Sequence, residues 1–287
     1  DIAMYHAKSL GKNAYQYFQS SMNAAVLERA ALEAKLRRAI GEDQLSLNYQ
    51  PQINPRTTQV LGLEALLRWT DPESGPVSPG AFIPLAEETG LILPIGEWVI
   101  DEACRQARQW DARGLPSVPI SVNVSGVQFE RQDVAEIVRD AVTRHQLPPG
   151  RLEIEITESA IMRHPERAVA ALKTMRESGV GIALDDFGTG YSSFSYLRRF
   201  PIDTLKIDRS FILEIDQNEE DAEIVAAIVA MAHTLGLRVI VEGVETESQL
   251  DVIIAKDCDV VQGFVFSRAL PASDIPALLR GPLRRSA

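Results

Sequence analysis

Residues 180–208 read VGIALDDFGTGYSSFSYLRRFPIDTLKID. The segments 180–186 and 203–207 have strand character, and a helix is expected over 192–199 between them, so the stretch spells one strand–helix–strand unit. Both strands end on polar residues. Asp185 follows Leu184, and Lys206 lies between Leu205 and Ile207. The pattern recurs elsewhere: Glu64 lies between Leu63 and Ala65, Asn123 between Val122 and Val124, Glu155 between Ile154 and Ile156, and Glu242 follows Val241. Strand side chains alternate faces, so the aliphatics pack outward and the polar residues turn to the other side. Carboxylates gathered in an interior must be paired, protonated or bound to cations. One lysine cannot neutralise them all, which points to a metal site in a barrel mouth.

Outward from that stretch, strand and helix patterns alternate. Strands are expected near 45–53, 59–69, 118–124, 151–157, 238–242 and 259–262, and helices near 80–88, 95–112, 133–145, 165–178, 219–235, 246–255 and 273–280. Such alternation predicts an α/β chain of parallel strands with helical crossovers, and about eight units in about 240 residues fit a TIM-type (β/α)8 barrel. Only the short turn Asn54 to Thr58 separates the first two strands, so one antiparallel strand is expected near the start. The alternative, an open doubly wound sheet, normally brings a Gly-rich first turn that is absent. Before the barrel, Leu32, Leu36 and Ile40 recur at helical spacing, giving a connecting helix over 24–42 that ends near Gly41.

The composition narrows the function. A formal net charge of −11 over 287 residues argues against a nucleic-acid polymer or membrane-surface binder. Cys104 and Cys258 lie far apart, without metal or redox spacing, and fit a reduced cytoplasmic setting. The longest apolar run, Ile224 to Ala232, is too short to span a bilayer. The chain opens without a Met, like a piece of a longer multidomain protein whose membrane anchoring the sequence leaves open.

Glu64, Asn123, Glu155, Asp185, Asp186, Lys206 and Glu242 fall in or at the ends of six strands, as expected of a site at the carboxyl ends of a barrel. The donors are oxygens; His6, His145, His164 and His233 all lie away from the strand ends. Carboxylate and amide oxygens suit Mg²⁺ or Mn²⁺. A bend at Asp185-Asp186 would let both reach the site, and a carboxylate bridging two ions is a common device for phosphodiester cleavage. Calcium should bind there but serve poorly, so inhibition by Ca²⁺ is expected. Lys206 could orient a water, hold a phosphate or form a Schiff base, and the surrounding carboxylates disfavour the last. Arg68, on the same face as Glu64, could grip a phosphate or pair with an acid.

At these residues the chain resembles the EAL family of cyclic di-GMP phosphodiesterases. Glu64-Ala65-Leu66 opens EALLRW, and YQPQI at 49–53, SPGAFIPLAEETGLI at 78–92, SVNVS at 121–125, EITES at 155–159, DDFGTGYSS at 185–193, TLKID at 204–208, EGVE at 242–245 and QGF at 262–264 occur in family order. The resemblance covers roughly 43 to 275 within an expected domain 43–287; Ala269 departs from the family's usual Pro. It implies hydrolysis of cyclic di-GMP to linear pGpG with two metal ions. One ion would be held by Glu64, Asn123, Glu155 and Asp185, the other by Asp185, Asp186 and Glu242. Lys206 would contact the attacking water, and Glu158 would brace the DDFGTGYSS loop. Gln50, Arg68, Glu245 and Gln262 would lie along the substrate. Analogy with the family also implies a homodimer coupled to that loop. Residues 1–23 resemble the tail of a GGDEF domain, which implies upstream GGDEF and sensory domains in a parent protein. The rival readings are an EAL-like receptor that binds cyclic di-GMP without cutting it, and an unrelated enolase-like Mg²⁺ barrel.

Overall fold

The computed structural model describes residues 20–188 and 197–281. Most of the expected remnant at 1–23 and of the helix expected at 192–199 lies outside the described residues. Eight strands close a ring: β1 (Leu45–Ile53), β2 (Val60–Asp71), β4 (Ile120–Val124), β5 (Leu152–Thr157), β6 (Gly181–Phe187), β7 (Thr204–Ile207), β8 (Arg238–Val241) and β9 (Val260–Val261), with β1 pairing to both β9 and β2. The pairs from β2 through β9 are parallel, whereas β1 runs antiparallel to β9. This is the expected barrel with its reversed first strand. The reversal is made by Asn54, whose side chain accepts from the backbone N–H of Arg56 and Thr57 at 3.0 and 2.9 Å. Two short strands were not expected: β3 (Gly75–Val77) pairs with the end of β2, and β10 (Leu270–Pro271) pairs with β1.

The outward aliphatics are the barrel's packing layer. Leu63, Val122, Ile154, Ile182, Leu205 and Val239 each expose 0% of their surface. Each such side chain contributes about 1.5–3 kcal/mol by leaving water. The parallel register sets Asn123 beside Glu155, and Lys206 beside Ile240. The pairing that aligns the core thus also sets Asn123 and Glu155 side by side.

By contact density the chain forms two compact units. Among the described residues, one comprises those up to Ser46 with Arg68–Ile92, the other Leu47–Leu67 with those from Leu93 on. In the first, α1 (Ser20–Ala39) packs on α2 (Pro79–Thr89), Trp69 meets Phe82 edge-on at 5.6 Å, and Lys35 pairs with Asp71 at 3.0 Å. The second holds α3 (Ile92–Ala112) from Leu93, then α4 (Gly126–Arg131), α5 (Val134–His145), α6 (Glu158–Arg163), α7 (Pro165–Glu177), α8 (Glu219–Thr234), α9 (Glu247–Ala255) and α10 (Ile275–Leu278). Capping boxes start α4 (Ser125 with Gln128) and α9 (Thr246 with Gln249). Each satisfies two orphan donors reciprocally, so the helix begins within a few residues of the strand-end polar groups. No described helix is long and apolar enough to cross a membrane.

Candidate active site

Lys206, on β7, is the centre of the barrel mouth and exposes 1% of its surface. Its Nζ lies 2.5 Å from Glu242, 2.6 Å from Glu155, 3.4 Å from Asp185 and 3.9 Å from Glu64. Four strands thus deliver one carboxylate each to a single ammonium. Asn123 donates to Glu64 Oε1 at 2.6 Å, and Gln262 donates to Glu64 Oε2. Gln262 also donates to Gln50 at 3.3 Å, and Gln50 donates to the Ser267 carbonyl at 3.1 Å. The Gln50–Gln262–Glu64 chain orients Glu64.

The charges are strongly perturbed. Burial alone would lower the Lys206 pKa, but the four carboxylates hold it well above the ordinary lysine value. The four carboxylates thus favour the charged lysine and disfavour a Schiff base. Burial, reinforced by the neighbouring carboxylates, pushes Glu155 well up, and pushes Glu242 up to about 8, against the pull of Lys206 in both cases. Burial would also raise Glu64, yet Lys206 and the bonds from Gln262 and Asn123 keep it below the usual range. One lysine does not balance this group, as the sequence pattern anticipated.

Among the described residues no group of three or more His, Cys, Asp or Glu forms a ready cation cage, because the carboxylates close on Lys206. The donor set nonetheless fits a hard ion. It is all oxygen, it carries excess negative charge, and Glu155 Oε1 is buried with no donor on it among the described residues. A buried acceptor in that state needs a proton or a cation.

At the end of β6 the register shifts between Leu184 and Phe187, and Asp186 adopts φ 54°, in the left-handed region. A non-glycine residue pays about 1–2 kcal/mol for this. The strand therefore does bend at the aspartate pair. Burial and the charges of Asp185 and Asp208 raise the Asp186 pKa. Glu158, the first residue of α6, accepts from the Gly188 N–H at 3.3 Å, where the chain leaves β6. Residues 189–196 of the loop that Glu158 is expected to brace lie outside the described residues.

Beside this group lies a cavity of about 260 Å³ lined by Gln50, Glu64, Glu242, Glu245 and Gln262, all singled out from the sequence. Two further lining residues were not: Arg209, paired with Glu245 at 2.9 Å, and Phe264, which is 41% exposed. Neither has a periodic signal, because both follow strand ends. Arg268 stacks over the Phe264 ring at 4.1 Å. Arg68 follows on β2 in the other compact unit, half-buried. His145 and His233 pair with Asp101 and Asp259, each at 2.9 Å, outside the carboxylate group.

Sequence reading also passed over Glu153, two residues before Glu155 on the same face of β5. It is buried, and accepts from Ser121 at 2.8 Å, Thr204 at 3.0 Å and Arg238 at 3.1 Å. The alternation that located Glu155 carried this residue as well.

The EAL domain family model matches residues 33–269. The chain is 48% identical over 277 residues to MucR, a bifunctional diguanylate cyclase/cyclic di-GMP phosphodiesterase of Pseudomonas aeruginosa; the match covers 96% of this chain and 40% of that protein. It is 40% identical over 279 residues to the cyclic di-GMP phosphodiesterase NbdA of the same organism, covering 97% of this chain and 36% of that protein. The chain thus spans two fifths or less of the length of these relatives. Among solved structures, the PaMucR phosphodiesterase in its c-di-GMP complex superposes with a TM-score of 0.82 at 47% identity, over 85% of this chain and 99% of that one. The EAL enzyme Bd1971, with cAMP and cyclic-di-GMP bound, superposes with a TM-score of 0.83 at 31% identity, over 96% and 73%. A match over most of the chain and a relative of nearly half identity agree with the strand ring and its acidic mouth: the chain belongs to the EAL domain family.

Proposed function

We propose that the chain is a divalent-metal-dependent phosphodiesterase that hydrolyses cyclic di-GMP to linear pGpG. The observation that carries the reading is the convergence of Glu64, Glu155, Asp185 and Glu242 on one buried lysine, with no donor on Glu155 Oε1 among the described residues. Its support is the family membership and the two relatives named as cyclic di-GMP phosphodiesterases. Glu64, Asn123, Glu155 and Asp185 would hold one Mg²⁺ or Mn²⁺, and Asp185, Asp186 and Glu242 a second. Bound there, the ions would offset the carboxylate and phosphate charge and acidify the attacking water.

The protein's own groups do the rest. Lys206, fixed by Glu155 and Glu242, holds a positive charge at one point and orients the water. The Gln50–Gln262 pair keeps Glu64 in one rotamer. In hydrolysis the water oxygen bonds to one phosphorus, the 3′ oxygen departs and takes up a proton, and the product keeps a 5′ phosphate. Incubation with cyclic di-GMP and Mn²⁺, followed by chromatography, should yield pGpG, with Ca²⁺ supporting little turnover. Tight binding with intact nucleotide would replace the enzyme by the receptor reading, and absence of both would remove the cyclic dinucleotide altogether. A homodimer belongs to the same proposal, and a single-chain mass in solution would remove it.

A further inference from the structure

We propose that Arg209 is the cation that grips a phosphate of the bound dinucleotide, held ready by Glu245. The inference rests on the phosphodiesterase reading and adds to it a specific substrate contact. A cyclic dinucleotide carries two negative charges, and the cavity wall contributes Glu64, Glu242 and Glu245. Lys206 cannot serve as the wall's counter-charge, since it is 1% exposed and surrounded by four carboxylates. Arg268 is engaged over Phe264 and does not line the cavity. Among the described lining residues Arg209 is the single cation.

Its placement is built rather than accidental. Asp208 caps the short helical turn Arg209–Phe211 by accepting from Ser210 at 3.0 Å. Gln249, itself buried, donates to the Ile212 and Leu213 carbonyls at 3.1 and 3.3 Å and accepts from the Glu245 N–H at 2.8 Å. One side chain thus ties the segment after β7 to the turn after β8. Gly243 sits at φ 71°, and a Cβ there would collide with the aliphatic stem of Arg209. The arginine therefore lies across bare glycine backbone, with Nη2 on Glu245 and a side chain 54% exposed. Arg209 lines the cavity with its guanidinium only partly engaged by Glu245, and a guanidinium's fork of donors suits a phosphate.

Kinetics and binding with Mn²⁺ and cyclic di-GMP test this on Arg209→Gln, Arg209→Lys, Gly243→Ala and the double variant Arg209→Gln/Gly243→Ala. Losing a charge-assisted bidentate contact should raise KM and Kd about 10–100-fold, with kcat within about threefold of wild type and the melting temperature unchanged. Lysine should recover part of the loss. Gly243→Ala should raise KM by displacing an intact arginine, and add nothing further in the Arg209→Gln background. A KM within twofold of wild type in Arg209→Gln overturns the proposal, as does a fall in kcat alone. Wild-type protein that neither binds nor cuts cyclic di-GMP defeats the underlying functional reading instead, and this inference with it.

Discussion

Glu153 and Glu155 are the same residue type, two positions apart on one face of one strand, and the barrel treats them oppositely. Both oxygens of Glu153 are used: Ser121 donates to one, Thr204 and Arg238 to the other. Glu155 has Lys206 on one oxygen at 2.6 Å and, among the described residues, no donor on the other, with three further carboxylates around that lysine. A satisfied buried carboxylate locks strands together; an unsatisfied one stores a demand for positive charge. The amino-terminal end of the barrel is thus read as stability and the carboxyl-terminal end as chemistry, in keeping with where barrels of this kind place their sites.

Four substitutions or treatments can break or sharpen that contrast. The largest effect should come from Glu155→Gln. Removing a ligand to a metal that contributes several kcal/mol should cut turnover on the order of a thousandfold. Glu153→Gln should keep turnover within a few-fold, and equal losses at the two positions would end the distinction. Next, saturating Mn²⁺ at about 100 times its Kd should stabilise the wild type by about 2.7 kcal/mol in denaturant titrations. Glu155→Gln should gain much less, and an equal gain would place the ion elsewhere. Third, Glu153→Gln should lose about 2 kcal/mol of stability, less than a fully buried pair because Arg238 is partly exposed. A neutral outcome would show that the bottom cluster merely fills space. The smallest effect belongs to Ser121→Ala, which leaves Thr204 and Arg238 on Glu153 and should cost about 1 kcal/mol with unchanged kcat.

Much of the barrel was legible because strand periodicity reports facing directly. The run LSLNYQPQI matches β1 over Leu45–Ile53, and Leu63, Ile154 and Leu205 marked the outward layer. The short strands were not legible. Leu270 pairs with Tyr49 across a long stretch of chain, and two residues carry no period of their own. Helices α4 and α6 escaped for a related reason: six residues each, they depend on caps and packing rather than on an amphipathic repeat. Glu64, Asn123, Glu155, Asp185, Lys206 and Glu242 could be named in advance from one repeated pattern. Arg209 could not, since Gly243, Glu245 and Gln249, distant in sequence, set where it lies.

The sequence by itself determined the strand-and-helix alternation, the reversed first strand and which polar side chains turn inward. All of these follow from local periodicity and one five-residue turn. Tertiary structure alone decided which inward carboxylates are satisfied and which are left wanting a cation. Saturation depends on donors supplied by neighbouring strands in a particular register, and Ser121, Thr204 and Arg238 become partners of Glu153 only once β4, β7 and β8 stand in the closed ring around it.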